Sequence, residues 1–243
     1  ARGNPTGAFN ETAQDYIERA LSRDQAKRTA VEIQEHKKEA IGLAVQECLS
    51  KGITSFHDAG ESFETIDLYR ALAEEGKLGV RLYVMISEGN EELKKKMAEY
   101  KIIGAGENHL TVRAIKRLID GALGSHGAWL LQPYTDLPTS VGLNTTSLEE
   151  MKETARLALE NDFQLCTHAI GDRANRETLD IYEAALASHP EKKNLRWRIE
   201  HAQVVDPADI PRFGNLGVIA AMQGVHCTSD GPWVSKRIGD ERA

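Results

Sequence analysis

Along the chain, short apolar or β-branched runs alternate with longer stretches in which apolar residues recur every three or four positions. Residues 53–57 (Ile-Thr-Ser-Phe-His) read as a strand, introduced by Gly52 and closed by Asp58, Ala59 and Gly60. A helix is predicted next, with Ile66, Tyr69, Leu72 and Ala73 on one face. Residues 80–86 form a second predicted strand, 91–100 a charged surface helix and 110–118 a third strand. A Gly-rich excursion over 121–142 separates that strand from a helix capped by Ser147, with Glu150 completing a capping box. Leu148, Met151, Ala155 and Ala158 share a face of this helix. Residues 163–168 are the fourth strand, followed by a helix carrying Leu179, Tyr182 and Leu186. Residues 196–201 make the fifth strand, 207–213 a short helix and 216–223 the sixth strand.

Strands alternating with helices imply a parallel sheet with right-handed crossovers. No GxGxxG follows the first strand, which removes the main support for a dinucleotide-binding fold. The predicted fold is therefore α/β, a (β/α)8 TIM-type barrel that is apparently incomplete, since six strands are visible of the eight a barrel needs. One long helix over 24–49 precedes the first visible strand, and the sequence ends at Glu241-Arg242-Ala243 without another.

Composition narrows the class. The 243 residues are 41% hydrophobic and 28% charged, enough for a sizeable core. A formal net charge of −7 argues against a nucleic-acid partner, which would call for a basic stripe. No apolar run approaches a bilayer span, and residues 1–8 carry no signal-peptide core, so no membrane partner is expected. Cys48, Cys166 and Cys227 are too scattered for a disulfide framework or a CxxC site. They are expected as buried free thiols in a reducing cytoplasm. The sequons at Asn10 and Asn144 then mean little.

In a barrel, chemistry gathers at the carboxyl ends of the strands. His57 ends the first visible strand, His168 the fourth and His201 the fifth, while His226 follows the sixth. Neighbouring strand ends share one mouth, so His168 and His201 could hold a transition metal through neutral imidazoles. Each could equally be a hydrogen-bonded structural residue. Lys116, inside an apolar strand, is costly to bury as an ammonium. It either snorkels outward between helices, as Arg113 and Arg117 can, or points into the barrel with altered charge; periodicity favours neither.

Three strings bring these residues together: Lys116-Arg-Leu-Ile-Asp120-Gly-Ala-Leu-Gly-Ser-His-Gly-Ala128, Thr167-His168-Ala-Ile-Gly-Asp-Arg-Ala-Asn175 and Arg198-Ile-Glu-His201-Ala-Gln203. With Asn4-Pro-Thr-Gly7, Gly52-Ile-Thr-Ser-Phe-His-Asp58 and Met222-Gln-Gly-Val-His-Cys-Thr-Ser-Asp-Gly-Pro-Trp233, they run in order through nearly the whole sequence. Together they resemble the amidohydrolase superfamily, in particular the YtcJ-like (amidohydrolase 3) branch that includes N-substituted formamide deformylases.

The resemblance implies a metal-dependent hydrolase acting on C–N bonds of non-peptide amides, with one or two divalent ions, zinc being the expected one. It implies Lys116, often carboxylated in that family, with His168 and His201 as metal ligands, and it makes the six strands the second to seventh of eight. His57 and His226 are the expected substrate-facing groups for a small-molecule substrate, and the Asp172-Arg173 turn is expected to cap its helix and brace its loop. The family's His-x-His pair occurs nowhere in the sequence, and Asp230 falls in the strand-seven loop rather than at the strand-eight aspartate. Residues 1–243 are thus expected to be one partial barrel domain, without the family's β-sandwich or strands one and eight, and an internal fragment of little activity by itself. Exposed sheet edges would need cover from residues 4–21 or from a second copy, hence an expected homodimer. Two other readings stay open: a non-catalytic regulatory or ligand-binding protein on the same scaffold, and a phosphate-binding enzyme, for which residues 121–127 lack the P-loop spacing.

Overall fold

The computed structural model describes residues 11–243; the Asn4-Pro-Thr-Gly7 string and the Asn10 sequon lie outside the described residues. A 3-10 turn (Glu11–Gln14) leads into α1 (Asp15–Gln25) and α2 (Ala30–Ser50). There follow β1 (Ser55–Glu61), α3 (Phe63–Glu74), β2 (Arg81–Ile86), α4 (Asn90–Lys96), β3 (Ile102–Gly104) and α5 (Ala105–Asn108). Next come β4 (Leu110–Leu118), α6 (Leu148–Glu160), β5 (Gln164–Ala169) and α7 (Asp172–Ala187). The series closes with β6 (Arg198–His201), α8 (Ile210–Leu216), β7 (Ile219–Ala221) and α9 (Gly231–Ile238).

Six strands pair in parallel in the order β1-β2-β4-β5-β6-β7. Because spatial order follows chain order, the sheet curls one way into a half-barrel, the predicted incomplete (β/α)8 architecture. Strand β3 was not foreseen. It pairs antiparallel with β4, Ile102 opposite Val112, over the stretch of β4 that precedes the β5 pairing at Ala114.

The convex side carries the main core. Ile66, Tyr69 and Leu72 of α3, Met151, Ala155 and Ala158 of α6, and Leu179 and Tyr182 of α7 cluster with Val84, Val112, Ile115, Leu165 and Ile199 of the sheet. These are the helix faces the periodicity selects. Met85, Ala114 and Cys166 form a smaller cluster with Tyr83 on the concave side. Behind the functional strands, the Tyr182 hydroxyl contacts Thr167 Oγ1 (2.8 Å) and the Arg198 carbonyl (3.0 Å), while Trp197 Nε1 donates to the Phe163 carbonyl (3.0 Å). These bonds lock β5 to β6 in register.

Several boundaries differ from expectation. The long helix expected over 24–49 begins only at Ala30, as α2, with 24–25 closing α1 instead, because Thr29 caps it: its Oγ1 accepts the Glu32 N–H (3.2 Å) and its own N–H reaches Glu32 Oε2 (2.7 Å). At Ser147 the contact is the cap itself, Oγ accepting the Glu150 N–H (3.2 Å); the full reciprocal box belongs to Thr29. Strand β1 runs on to Glu61 through a register shift, with Gly60 at φ 134° absorbing the irregularity. His57 therefore lies at mid-strand rather than at the carboxyl end. The last strand is only Ile219–Ala221, since Leu216 ends α8 and Gly217, left-handed at φ 66°, turns the chain into it.

Strands β1 and β7 are the two edges of the sheet. Helix α1, the described part of the segment expected to cover an edge, buries none of its residues. No helix among the described residues is long and apolar enough to cross a membrane. The cysteines are free, but only Cys166 is buried; Cys48 is half-buried, and Cys227, in the turn after β7, is exposed.

Candidate functional site

Strand alternation decides the Lys116 question. Arg117 takes the convex side, its Nε donating to Thr154 Oγ1 of α6 (3.0 Å) and its Nη2 to Asn90 Oδ1 of α4 (2.9 Å). Lys116 accordingly faces the concave side, 6% exposed, near Cys166 and Glu200. It does not snorkel between helices. Burial pushes its amine down to about 8, against the pull of Glu200, so a neutral fraction exists near physiological pH. Its Nζ donates to the Arg117 carbonyl (3.1 Å).

At the carboxyl end of the sheet the two strand-end histidines meet. Their rings lie edge to face with centroids 4.6 Å apart. Register alone would not achieve this, because His168 is opposite Glu200 while His201 is opposite Ala169. Positive φ at His201 (76°) and Ala202 (44°) breaks the alternation and turns the His201 ring toward His168. Burial and the neighbouring His168 ring push His201 down to about 4, so its imidazole is neutral at physiological pH. Its Nδ1 lies 2.8 Å from Gln223 Oε1 and 3.3 Å from His226 Nε2. His226 Nδ1 in turn lies 2.8 Å from Asp230 Oδ2, which also accepts Gln203 Nε2 (2.9 Å).

Asp120, inside one of the recognised strings but not singled out by sequence reasoning, is the pivot of the site. It is 1% exposed and accepts backbone N–H groups from Trp129 (2.9 Å), Ile170 (3.0 Å) and Gly171 (2.8 Å). Its Oδ1 also lies 3.3 Å from His168 Nε2, but the two are not aligned for a hydrogen bond, and that buried nitrogen has no hydrogen-bond partner. One residue on from Gly171, Asp172 Oδ1 accepts the N–H groups of Leu131 (2.8 Å) and Arg173 (2.9 Å). Two aspartates thus stitch the 121–142 excursion to the turn behind His168, the bracing expected of the Asp172-Arg173 turn. The expected helix cap is not made there, because Asp172 is already the first residue of α7 and Gly171 is the N-cap, with no side chain to bond.

Below this layer Arg198 crosses the concave face. Its Nε donates to Glu200 Oε1 (2.6 Å), its Nη1 lies 3.0 Å from His57 Nδ1, and its Nη2 reaches Met85 Sδ (3.8 Å). His57 therefore contacts Arg198 and the Tyr83 ring, 5.0 Å between centroids, rather than the His168–His201 pair.

The donor chemistry fits a divalent ion in part. A buried, unpartnered imidazole nitrogen on His168 and a neutral imidazole on His201 suit a transition metal. Among the described residues, no three His, Cys, Asp or Glu side chains converge on one point.

The sequence pattern of the Amidohydrolase family matches residues 1–243. The chain is 30% identical to the putative amidohydrolase YtcJ of Bacillus subtilis, over 100% of its own length and 44% of that protein. It is 29% identical to the protein LONG AFTER FAR-RED 3 of Arabidopsis thaliana, over 99% of itself and 41% of the relative. In three dimensions it resembles the crystal structure of an uncharacterized metal-dependent hydrolase from Pyrococcus horikoshii OT3. The TM-score is 0.78 at 26% identity, covering 98% of this chain and 47% of that one. The chain thus spans less than half the length of each of these relatives.

Proposed function

The chain belongs to the amidohydrolase family, and from that premise we propose that it carries part of the active site of a metal-dependent hydrolase cleaving C–N bonds of small, non-peptide amides. The observation behind this reading is the buried His168 Nε2, without a hydrogen-bond partner and beside the neutral His201 ring. A polar atom left unsatisfied in a folded interior calls for a ligand. A divalent ion held here, zinc in our proposal, would lower the pKa of water toward about 7 and would polarise the scissile carbonyl. His168 and His201 would hold it, with Lys116, carboxylated or as the neutral amine, as the third donor. Asp120 keeps the His168 turn in place. His226, whose ring centroid is 5.4 Å from that of His201, is the better placed of the two proposed substrate-facing histidines; His57 is exposed and lies against Arg198, away from the pair. A cytoplasmic location belongs to the same proposal.

Calorimetric titration with zinc, manganese and nickel tests this reading. The chain is expected to bind one ion, and His168→Ala to weaken binding by about 100-fold or more, beyond the 10–100-fold typical of outer residues that only orient ligands. Absence of binding, or binding unchanged in His168→Ala, would sink it. Absence would favour the second reading, a ligand-binding protein without a metal, which gains from the lack of three converging His, Cys, Asp or Glu side chains among the described residues.

We also propose a homodimer, since β1 and β7 leave two parallel edges and the described α1 seals neither. Light scattering is expected to give twice the chain mass, and a sharp monomer peak would overturn this.

A further inference from the structure

We propose that Gln223 is a positioning residue: it holds His201 in the tautomer protonated at Nδ1 and so leaves Nε2 as the basic nitrogen facing the site. The inference rests on reading His201 as a metal-side donor.

The geometry fixes the direction of each bond. Gln223 Nε2 donates to the Ala221 carbonyl at 2.9 Å. The reversed amide would set two oxygens against each other there, so Oε1 is the atom facing His201. A carbonyl oxygen has no proton to give. At 2.8 Å from Oε1, His201 Nδ1 must therefore be the donor. His226 Nε2 lies farther from the same nitrogen, at 3.3 Å, and 3.1 Å from Oε1. His226 is itself tethered through Nδ1 to Asp230.

In a neutral imidazole, a proton on one nitrogen leaves the lone pair on the other, and an oriented acceptor on the far side is how metal-binding histidines are commonly prepared. Gln223 does this from the residues just past β7, the strand paired directly with β6. That also gives the short β7 a role: its last residue, Ala221, anchors the amide.

The test is long-range proton–nitrogen NMR of the metal-free protein near neutral pH, with the His201 signals assigned by their loss in His201→Gln. The wild type is expected to show the Nδ1–H form. Gln223→Glu, which keeps an acceptor, is expected to preserve it. Gln223→Leu combined with His226→Phe removes both acceptors and is expected to give mixed tautomers. Zinc affinity is expected to fall about 10–100-fold in Gln223→Leu and to be held in Gln223→Glu. An Nε2–H signal in the wild type, tautomers unchanged in the double variant, or zinc affinity unchanged in Gln223→Leu would overturn the proposal. If the wild type binds no zinc while the tautomers behave as stated, the metal reading fails and the Gln223 assignment stands.

Discussion

Replacing Asp120 with alanine is expected to remove about 5 kcal/mol or more of folding stability, since it loses three N–H bonds to the carboxylate at roughly 1.5–3 kcal/mol each. The donors come from Trp129, Ile170 and Gly171, and the bonds from Ile170 and Gly171 are fully buried. Native domains hold only about 5–15 kcal/mol, so the variant should be marginal or unfolded at room temperature. Urea denaturation followed by circular dichroism measures it. Asp120→Asn keeps one acceptor oxygen but turns an amide against a donor, and should fall between the two. A midpoint for Asp120→Ala within about 1 kcal/mol of the wild type would show that the carboxylate is not structural. It would then be free to act as a ligand.

The second large effect belongs to Gly171. A Cβ built there would stand 2.0 Å from the Trp129 carbonyl oxygen, 2.5 Å from its carbon and 2.7 Å from its nitrogen. Backbone cannot rotate aside as a side chain does. Gly171→Ala should therefore cost about 3 kcal/mol or more by forcing the excursion away from the β5–α7 turn. The same displacement lengthens the Asp120 bonds. The two substitutions are thus expected to be strongly non-additive, the double variant losing clearly less than the sum. Thermal melts of the four proteins in the cycle decide this; additive losses would mean that the two residues act on separate features.

Neither effect could be read from the sequence, for a physical reason. Asp120 matters through N–H groups as far as 51 residues away, brought to it only when β4 and β5 pair. Within its own neighbourhood it is one aspartate entering a Gly-rich loop. Local periodicity, by contrast, found α3, α6 and α7 by their apolar faces, and six strands by their β-branched runs. It missed β3 because three residues make no pattern, and it started α2 too early because Thr29 and Glu32 look ordinary until they bond to each other. His168 and His201 were legible as strand-end residues, and so was the choice that Lys116 faced. Which way Lys116 turned was not, because Arg117 beside it is equally buried on the other side. The left-handed backbone that swings His201 toward its partner left no sequence signal either, since it falls on His-Ala rather than on glycine.

Arg198 has a mechanical consequence. An open arc of parallel strands, unlike a closed barrel, has nothing in its topology to stop it flattening. Arg198 starts on β6 and bonds to His57 on β1, four places away in the sheet order, passing Met85 on β2. It is a chord drawn across the arc. Anchored at its root by Glu200, it sets the radius of curvature from inside, so the spacing of the strand ends that bring His168 and His201 together is written into this half of the barrel itself.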